Sequence, residues 1–386
     1  MAFIPYSCQN ITQDDIDVVT AVLRSEYLTQ GPAIPAFEQA FARKHEVAHA
    51  IAVSNATAGL HIACLALGAG PGTRVWTTPN SFLASANCAL YCGAEIDFVD
   101  IDPTTRNVSV SALESRLEVA KRQGKLPRIV IPVDFSGMPC DLREIRALAD
   151  RYGFSVLEDA SHATGARYLG KPVGSAFAHA SVFSFHAVKV VTTAEGGLVT
   201  TQDEALARKL HLLRSHGMTR DPVEMERPSE GAWYYEQQVL GFNYRMTDLQ
   251  AALGSSQLHR LEAMHDRREV LADRYDSLLR ELPLLLPRRL PDRRSAWHLY
   301  AVEIDESRTR ASRASVFAAL RHAGIGANVH YIPIHTQPYY TRLGFKRGDF
   351  PTSERYADRA LSIPLFPALT EEQQLFIART LREALA

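Results

Sequence analysis

Short apolar runs alternate with segments of helical period through the first two-thirds of the chain. Runs rich in Val, Ile and Phe and bounded by polar residues predict strands. The predicted strands are Ala50–Val53, Val75–Thr78, Ile96–Val99, Ile129–Val133, Ser155–Leu157, Val182–Phe185 and Leu198–Thr201. Apolar residues three and four apart predict helices at Ala58–Leu67, Phe82–Tyr91, Ser111–Gln123 and Leu142–Tyr152. Nearly continuous apolar strands separated by helices predict an α/β fold with a largely parallel sheet, whose ligands bind at the carboxyl ends of the strands.

The pattern changes near Thr247, where apolar residues at helical spacing predict one long helix running to Leu279. The Pro- and Arg-rich stretch Pro283–Ser295 is predicted to be an exposed connection. Shorter apolar segments then predict a small α+β domain. We place the large domain at 1–255 and the small one at 256–386. The polar and aromatic segment Thr219–Gln238 has no clear period, which is typical of a functional or mobile loop.

Charge and composition exclude several classes of function. The formal net charge of -1 provides no global field for nucleic acid or an anionic membrane. No apolar stretch is long enough to span a bilayer, and Met1–Asn10 lacks the features of a signal peptide, so a cytoplasmic location is expected. The five cysteines show no paired metal spacing, so we expect buried thiols and no metal site.

The segment Val182–Thr201 carries the strongest chemical signal. Two strand-like runs flank a turn with Ser184, Lys189 and the pair Gly196-Gly197. A lysine between buried strands either extends to solvent or has a function, because an unpaired buried ammonium is costly. A lowered lysine pKa makes the amine a nucleophile able to form a Schiff base. The glycine pair allows another backbone or a ligand to approach closely.

Two further strand ends carry polar groups. The strand that begins at Ser155 leads into Glu158-Asp159, and a buried carboxylate there needs a cation such as a protonated pyridine nitrogen. Capping of a following helix is the alternative for Asp159. Ser54–Thr57 lies between a strand and a helix, where backbone N–H groups and a hydroxyl suit a phosphate. An ordinary capped helix would look the same. Phe82, after another strand end, could stack on a cofactor ring or belong to the core.

The order of these signals resembles one family. The match runs from Pro5 to the C-terminus, and its motifs are Leu28–Pro32, Ser54–Leu60, Ser81–Asn87, Glu158–Gly165, Ser184–Gly197, Gly241–Gly254 and Val329–His335. The chain resembles the DegT/DnrJ/EryC1/StrS sugar aminotransferases, which have the pyridoxal-phosphate (PLP) fold type I of aspartate aminotransferase. That resemblance implies a mostly parallel seven-stranded sheet flanked by helices, PLP as the cofactor, and a homodimer with shared active sites.

The resemblance also implies roles for individual residues. Lys189 would form the aldimine with PLP, and Asp159 would pair with the pyridine nitrogen. Other cofactor contacts would be Ala56, Thr57 and Ser184 at the phosphate, Phe82 and His162 on either side of the ring, and Asn243 at the phosphate of the neighbouring subunit. The substrate site would be lined by Tyr6, Glu26, Tyr27, Leu28, Thr29, Val329, His330, Tyr331 and Ile332.

Three positions bear on how far these roles transfer. Ala56 stands where many members carry Gly, and His162 stands where many carry Gln. Lys189 argues against dehydration, because the dehydratases of the family have His at that place.

Four segments narrow the predicted substrate: Phe183–Gly197, Leu213–Met218, Trp297–Tyr300 and Val329–His335. They resemble the C4 aminotransferases of pseudaminic acid biosynthesis, which move an amino group from L-glutamate to UDP-4-keto-6-deoxy-N-acetyl-β-L-altrosamine. The alternative is a C4 aminotransferase of the perosamine or bacillosamine type. Two other classes are alternatives: another PLP enzyme of fold type I, such as a desulfurase or lyase, and a PLP-binding regulatory protein. A desulfurase would need a cysteine in a mobile loop, and a regulatory protein would need a DNA-binding segment. Neither feature is evident in the sequence.

Overall fold

The structure is a computed structural model that describes residues 3–386. Its centre is a seven-stranded sheet. The strands of this sheet are β1 His49–Val53, β2 Arg74–Thr77, β3 Glu95–Phe98, β4 Ile129–Ile131, β5 Ser155–Asp159, β8 Ala180–Ser184 and β9 Gly197–Thr201. Their order across the sheet is β1-β9-β8-β5-β4-β2-β3. Each predicted strand is present with its ends within two residues of the prediction. Only β9 runs antiparallel to its neighbours in this sheet, so the α/β prediction is confirmed.

Thirteen helices are present in the part of the chain that is described. They are α1 Gln13–Leu23, α2 Ala33–His45, α3 Ala56–Ala66, α4 Ala84–Tyr91, α5 Val110–Gln123, α6 Leu142–Tyr152, α7 Glu204–Arg214, α8 Asp248–His259, α9 Leu261–Leu279, α10 Arg313–His322, α11 Pro338–Thr341, α12 Pro351–Arg359 and α13 Glu371–Leu385. Single 3₁₀ turns lie at Phe135–Gly137 and Ile334–Thr336. None of the helices in residues 3–386 combines the length and apolar character needed to cross a membrane.

The central sheet is covered on both faces because its strands are apolar on both sides. On β4, Ile129 and Ile131 pack against α3 and α4, whereas Val130 between them packs against α5 and α6. All five residues of β8 are likewise buried, as expected for a strand covered on both faces, whereas the edge strand β3 alternates polar and apolar residues.

The remaining strands form three small sheets. They are β6 Arg167–Tyr168, β7 Lys171–Pro172, β10 Met218–Thr219, β11 Glu236–Gln237, β12 Leu284–Leu285, β13 Arg293–Arg294, β14 Tyr300–Ile304 and β15 Ala360–Ile363. The sheet β12-β14-β15 packs with α9, α10 and α13 into an apolar cluster of its own. Ile4 joins this cluster and pairs with Ile325, so the start of the chain lies against its C-terminal part.

Two predicted elements differ from the structure. The long helix predicted toward Leu279 is two helices, because Arg260 leaves the helical conformation while its guanidinium binds the Asn10 carbonyl and the Asp15 carboxylate. The segment Pro283–Ser295 is not simply an exposed connection. It contains β12 and β13, and the nearly buried Arg293 side chain pairs with Asp141 at 2.7 Å.

Candidate active site

A cavity of about 770 Å³ opens at the carboxyl ends of the parallel strands. β5 ends at Asp159, β8 ends at Ser184, and β1 leads into Asn55, all of which line it. The turn after β2 adds Phe82, and the turn after β8 adds Lys189. Because parallel strands end at one edge of a sheet, residues far apart in sequence meet here, as the strand pattern predicted.

One end of the cavity has groups suited to an anion. Asn55 caps α3 by accepting a hydrogen bond from the Ala58 N–H at 2.9 Å. The N–H groups of Ala56 and Thr57 precede the intrahelical ladder, and both residues line the cavity with the Thr57 hydroxyl beside them. The capped-helix interpretation and the phosphate interpretation are therefore compatible, since the cap occupies only the third N–H of the turn.

Gly197 fixes how closely β9 approaches this turn. A Cβ atom built on Gly197 would lie 2.6 Å from the Ala56 nitrogen, so only glycine fits. The expectation of a close backbone approach at the glycine pair is confirmed. Ser184, on the adjacent strand β8, adds a second hydroxyl to the cavity wall, and its own Oγ accepts only a long 3.4 Å hydrogen bond from the His186 N–H. These donors fit the phosphate of PLP.

Asp159 is a buried carboxylate held by neutral donors. Ser85 Oγ donates to Oδ2 at 2.6 Å, and the Ser161 N–H donates to Oδ1 at 3.1 Å. Its side chain caps no helix, because a turn rather than a helix follows β5. No arginine lines the cavity among residues 3–386, and Lys189 is the one lysine there. A buried carboxylate without an arginine partner fits the protonated pyridine nitrogen of PLP.

Glu158, the neighbour of Asp159, does not line the cavity. Successive side chains of a strand point to opposite faces, and Glu158 accepts a hydrogen bond from Ser181 Oγ on the other side of the sheet. Burial and the nearby carboxyl of Asp134 raise its pKa well above the ordinary value. Glu158 is therefore a buried acid of the sheet interior, separate from the site.

Lys189 lies at the middle of the cavity in the turn between β8 and β9. Burial lowers the pKa of its amine to about 8, and the negative charge of Asp159 opposes that shift. The neutral fraction of the amine near physiological pH is therefore larger than that of an ordinary lysine, and the neutral form is the one that acts as a nucleophile. The cavity brings together an amine, a carboxylate and an anion-binding turn, which are the groups that the aldehyde, the pyridine nitrogen and the phosphate of PLP need.

Phe82 and His162 also line the cavity. The Phe82 ring is 59% exposed, so one of its faces is free to stack on a ligand. His162 is nearly buried, and burial together with the charge of Lys189 lowers its pKa far below the ordinary value.

The structure gathers eleven of the predicted site residues in this one cavity. They are Tyr6, Ala56, Thr57, Phe82, Asp159, His162, Ser184, Lys189, Val329, His330 and Tyr331. Ile332, whose side chain is exposed, is not among the lining residues.

Five other predicted residues lie elsewhere in the same chain. Glu26–Thr29 is held at the start of α8, where the Leu28 carbonyl accepts the Asp248 N–H at 3.0 Å. Asn243 pairs with Ser215 beside the end of α7. Neither group lines the cavity of its own chain.

Sequence reasoning missed several lining residues, among them Ser85 and His298. Ser85 could have been found, because Ser81, Phe82 and Ser85 recur at helical spacing on the turn that enters α4. His298 lies in the segment Trp297–Tyr300 that narrowed the predicted substrate, but no periodicity assigned it to the site. It is brought to the cavity by the contact between Ala296–Leu299 and the turn Phe135–Gly137, which no local pattern announces.

Comparison with known proteins identifies the family. The model of the DegT/DnrJ/EryC1/StrS aminotransferase family matches residues 9–382. The chain belongs to this family. The spore coat polysaccharide biosynthesis protein SpsC of Bacillus subtilis is 40% identical over 373 residues, which cover 96% of this chain and 94% of that protein.

Solved structures agree with this assignment. Helicobacter pylori PseC, an aminotransferase involved in the biosynthesis of pseudoaminic acid, superimposes with a TM-score of 0.90 at 31% identity and 99% coverage of both chains. A putative sugar aminotransferase of Streptococcus pneumoniae, Spr1654, was solved in a PLP form; it gives a TM-score of 0.88 at 28% identity, covering 99% of this chain and 98% of that one. The protein is a PLP-dependent sugar aminotransferase of fold type I, and the predicted family, fold and cofactor are confirmed.

Proposed function

We propose that this enzyme transfers the amino group of L-glutamate to C4 of a UDP-4-keto-6-deoxy-N-acetylhexosamine, specifically UDP-4-keto-6-deoxy-N-acetyl-β-L-altrosamine. The observation that carries the proposal is the single cavity in which Lys189, Asp159 and the first turn of α3 converge. The likeness to PseC over 99% of both chains supports the choice of sugar.

Each residue has a distinct task in this reaction. Bound PLP supplies an electron sink for the carbanion formed at the α-carbon of the donor. The amine of Lys189 would hold the cofactor and would take and return the transferred proton. Asp159 would keep a positive charge on the pyridine nitrogen. Ala56, Thr57 and Ser184 would hold the phosphate and so keep the cofactor in place.

We further propose that the working unit is a cytoplasmic homodimer with shared sites. Asn243 and Glu26–Thr29 do not reach the cavity of their own chain, and a second chain would be needed to supply them. The segment that precedes Asn243 carries exposed apolar side chains, including Trp233 at 73% and Leu240 at 81% exposure, which favours an interface.

The test is to give purified holoenzyme L-glutamate and the 4-keto-L-altrosamine nucleotide, and to identify the sugar product by NMR. Amination at C4 supports the proposal, and the configuration of the new amine defines the stereochemistry. Lys189→Ala is the matched control, since it removes the amine together with the aliphatic part of the side chain beyond Cβ. The kinetics should be ping-pong, with 2-oxoglutarate released before the sugar binds.

Other results would change the assignment in defined ways. Conversion of the cofactor by glutamate without amination of this sugar would retain the class and exclude the substrate. D-configured UDP- or GDP-4-keto sugars of the bacillosamine and perosamine type would then be tested. No conversion by glutamate would contradict the proposed donor.

A further inference from the structure

His162 lies between a backbone N–H, which can only donate, and a tyrosine hydroxyl, which can donate or accept. The Ser136 backbone N–H donates to His162 Nδ1 at 3.2 Å, and His162 Nε2 lies 3.1 Å from the hydroxyl of Tyr331. A backbone N–H can only donate, so Nδ1 must accept and cannot carry a proton. The single proton of the neutral ring is therefore on Nε2, which donates to the Tyr331 oxygen. An imidazolium, or the other tautomer, would bring two N–H groups face to face.

The turn that supplies this N–H is held rigidly. Ser136 has a φ of +63°, a left-handed conformation that a residue with a side chain adopts only when its surroundings enforce it. Its Oγ donates to the Leu299 carbonyl at 2.7 Å, and its carbonyl accepts the His298 N–H at 3.0 Å. The next residue, Gly137, has no room for a Cβ, which would lie 2.9 Å from the His162 carbonyl.

The ring of His298 closes the arrangement. It packs on His162 with centroids 4.4 Å apart, and its buried Nδ1 has no hydrogen-bond partner in residues 3–386. A second imidazole at this distance disfavours a charge on the first, because two imidazolium rings would repel each other in a buried site. The Ser136 N–H thus requires the neutral state of His162, and the adjacent ring of His298 favours it.

The polarity continues to Tyr331. Because its oxygen accepts from His162, its own proton points elsewhere, and the hydroxyl has no other partner in the described chain. Tyr331 lines the cavity, and its ring centroid lies 6.4 Å from that of Phe82. The Tyr331 hydroxyl can therefore donate its proton to a ligand while its oxygen accepts the hydrogen bond from His162.

We propose that Ser136, His162 and Tyr331 form a hydrogen-bond chain of one direction that aims the Tyr331 hydroxyl as a donor at an oxygen of the bound ligand. This inference rests on the proposed function only for the identity of that oxygen, which belongs either to the ring of the cofactor or to the keto group of the sugar. Tyr331 is the residue that touches the ligand. Ser136 and His162 are positioning residues that act through it.

The chain explains which side chains can replace His162. A glutamine amide has an oxygen that accepts from Ser136 and an NH₂ group that donates to Tyr331, so it reproduces the polarity of the imidazole. Leucine fills similar space and can do neither.

The first experiment reads the tautomer without any ligand. Full-length cofactor-free enzyme with ¹⁵N-labelled histidine is studied by two-bond ¹⁵N–¹H correlation NMR at pH 7, and the His162 signals are assigned from their loss in His162→Gln. We expect a neutral ring with its proton on Nε2. A proton on Nδ1, or on both nitrogens, would overturn the proposal.

The second experiment compares Tyr331→Phe with Tyr356→Phe. Tyr356 is a matched control, because it is buried against the same Phe135, its hydroxyl has no partner among residues 3–386, and it does not line the cavity. The rates with L-glutamate and with the keto sugar are measured separately, together with the pH midpoint of the holoenzyme absorbance. We expect Tyr331→Phe to slow at least one half-reaction by roughly 10- to 100-fold. The proposal would be overturned if both half-reaction rates of Tyr331→Phe lay within about twofold of those of Tyr356→Phe and the two variants had the same absorbance midpoint.

The pattern of loss identifies the acceptor oxygen. Slowing of both half-reactions with a shifted absorbance midpoint assigns it to the cofactor ring, and slowing of the sugar half-reaction alone assigns it to the keto group. His162→Gln should stay within about threefold of the wild type, and His162→Leu should fall as Tyr331→Phe does. Equal losses in both His162 variants would contradict the chain. Wild-type enzyme that glutamate does not convert would instead contradict the proposed function, since the tautomer measurement needs no substrate.

Discussion

The predicted site residues form two groups that the structure places differently. The inner group, Thr57, Asp159, Ser184 and Lys189, meets in one cavity of a single chain. The outer group, Glu26–Thr29 and Asn243, lies away from that cavity. The inner residues follow strands of one sheet, so the sheet itself brings them together. The outer residues belong to segments fixed by local contacts at the starts and ends of helices. The residues that the sheet positions therefore line the cavity of a single chain. The outer group can reach a cavity only if a second chain is present.

Removing the central amine of the inner group should have the largest effect. Lys189→Ala is expected to lower turnover by about 10⁴-fold, because no other amine of residues 3–386 lines the cavity to form the covalent link and carry the proton. The folded protein should still bind PLP. Turnover and cofactor absorbance, measured on the same preparation, check both statements, and normal turnover would contradict the assignment of Lys189.

Asp159→Asn should come next. It keeps the shape of the side chain and an oxygen that accepts the Ser161 N–H, but it removes the charge that would hold a proton on the pyridine nitrogen. We expect the rate and the cofactor affinity each to fall by roughly 10²- to 10³-fold, in keeping with the loss of one partner of a buried ion pair. Equilibrium dialysis of PLP and single-turnover rates with glutamate provide the measurement. Values equal to the wild type would remove the proposed pyridinium contact.

The outer group is tested by complementation. Asn243→Asp should weaken PLP binding by roughly tenfold or more, because it places a carboxylate near the phosphate of the partner's site. Equal amounts of Lys189→Ala and Asn243→Asp chains, unfolded and refolded together, should recover about a quarter of the wild-type activity, because each mixed dimer has one intact site. No recovery in verified mixed dimers would show that each chain completes its own site.

The smallest expected effect is a shift with pH. The pKa of Lys189 is lowered by burial to about 8, so the neutral amine accumulates as the pH rises through that value. The rate at which cofactor-free enzyme captures PLP should therefore rise between about pH 7 and 9 and then level off. Asp159 opposes the shift, so Asp159→Asn should move the midpoint to lower pH. A midpoint near the ordinary lysine value would show that the amine is solvated. Stopped-flow absorbance measures both curves.

Much of the inner site could be predicted from the sequence because its signals are local. Each of three short segments can be placed at a strand end from its own residues: the apolar run that ends in Asp159, the strand that leads into Thr57, and the turn with Lys189 before two glycines. Parallel strands then require these ends to meet at one edge. The family resemblance supplied the roles of His162 and Tyr331, which no periodicity could assign.

The tertiary structure alone decided the contacts between distant segments. The hydrogen bond from Ser136 to His162, and the presence of His298 behind it, depend on how the turn at Phe135–Gly137 packs against Ala296–Leu299. The break at Arg260 likewise depends on Asp15, far away in sequence. The sequence by itself determined the strands and the polar residues at their ends, since these follow from local pattern, and the family resemblance added the cofactor. The polarity around His162 required the fold, because a hydrogen bond has a direction only when both partners are in place.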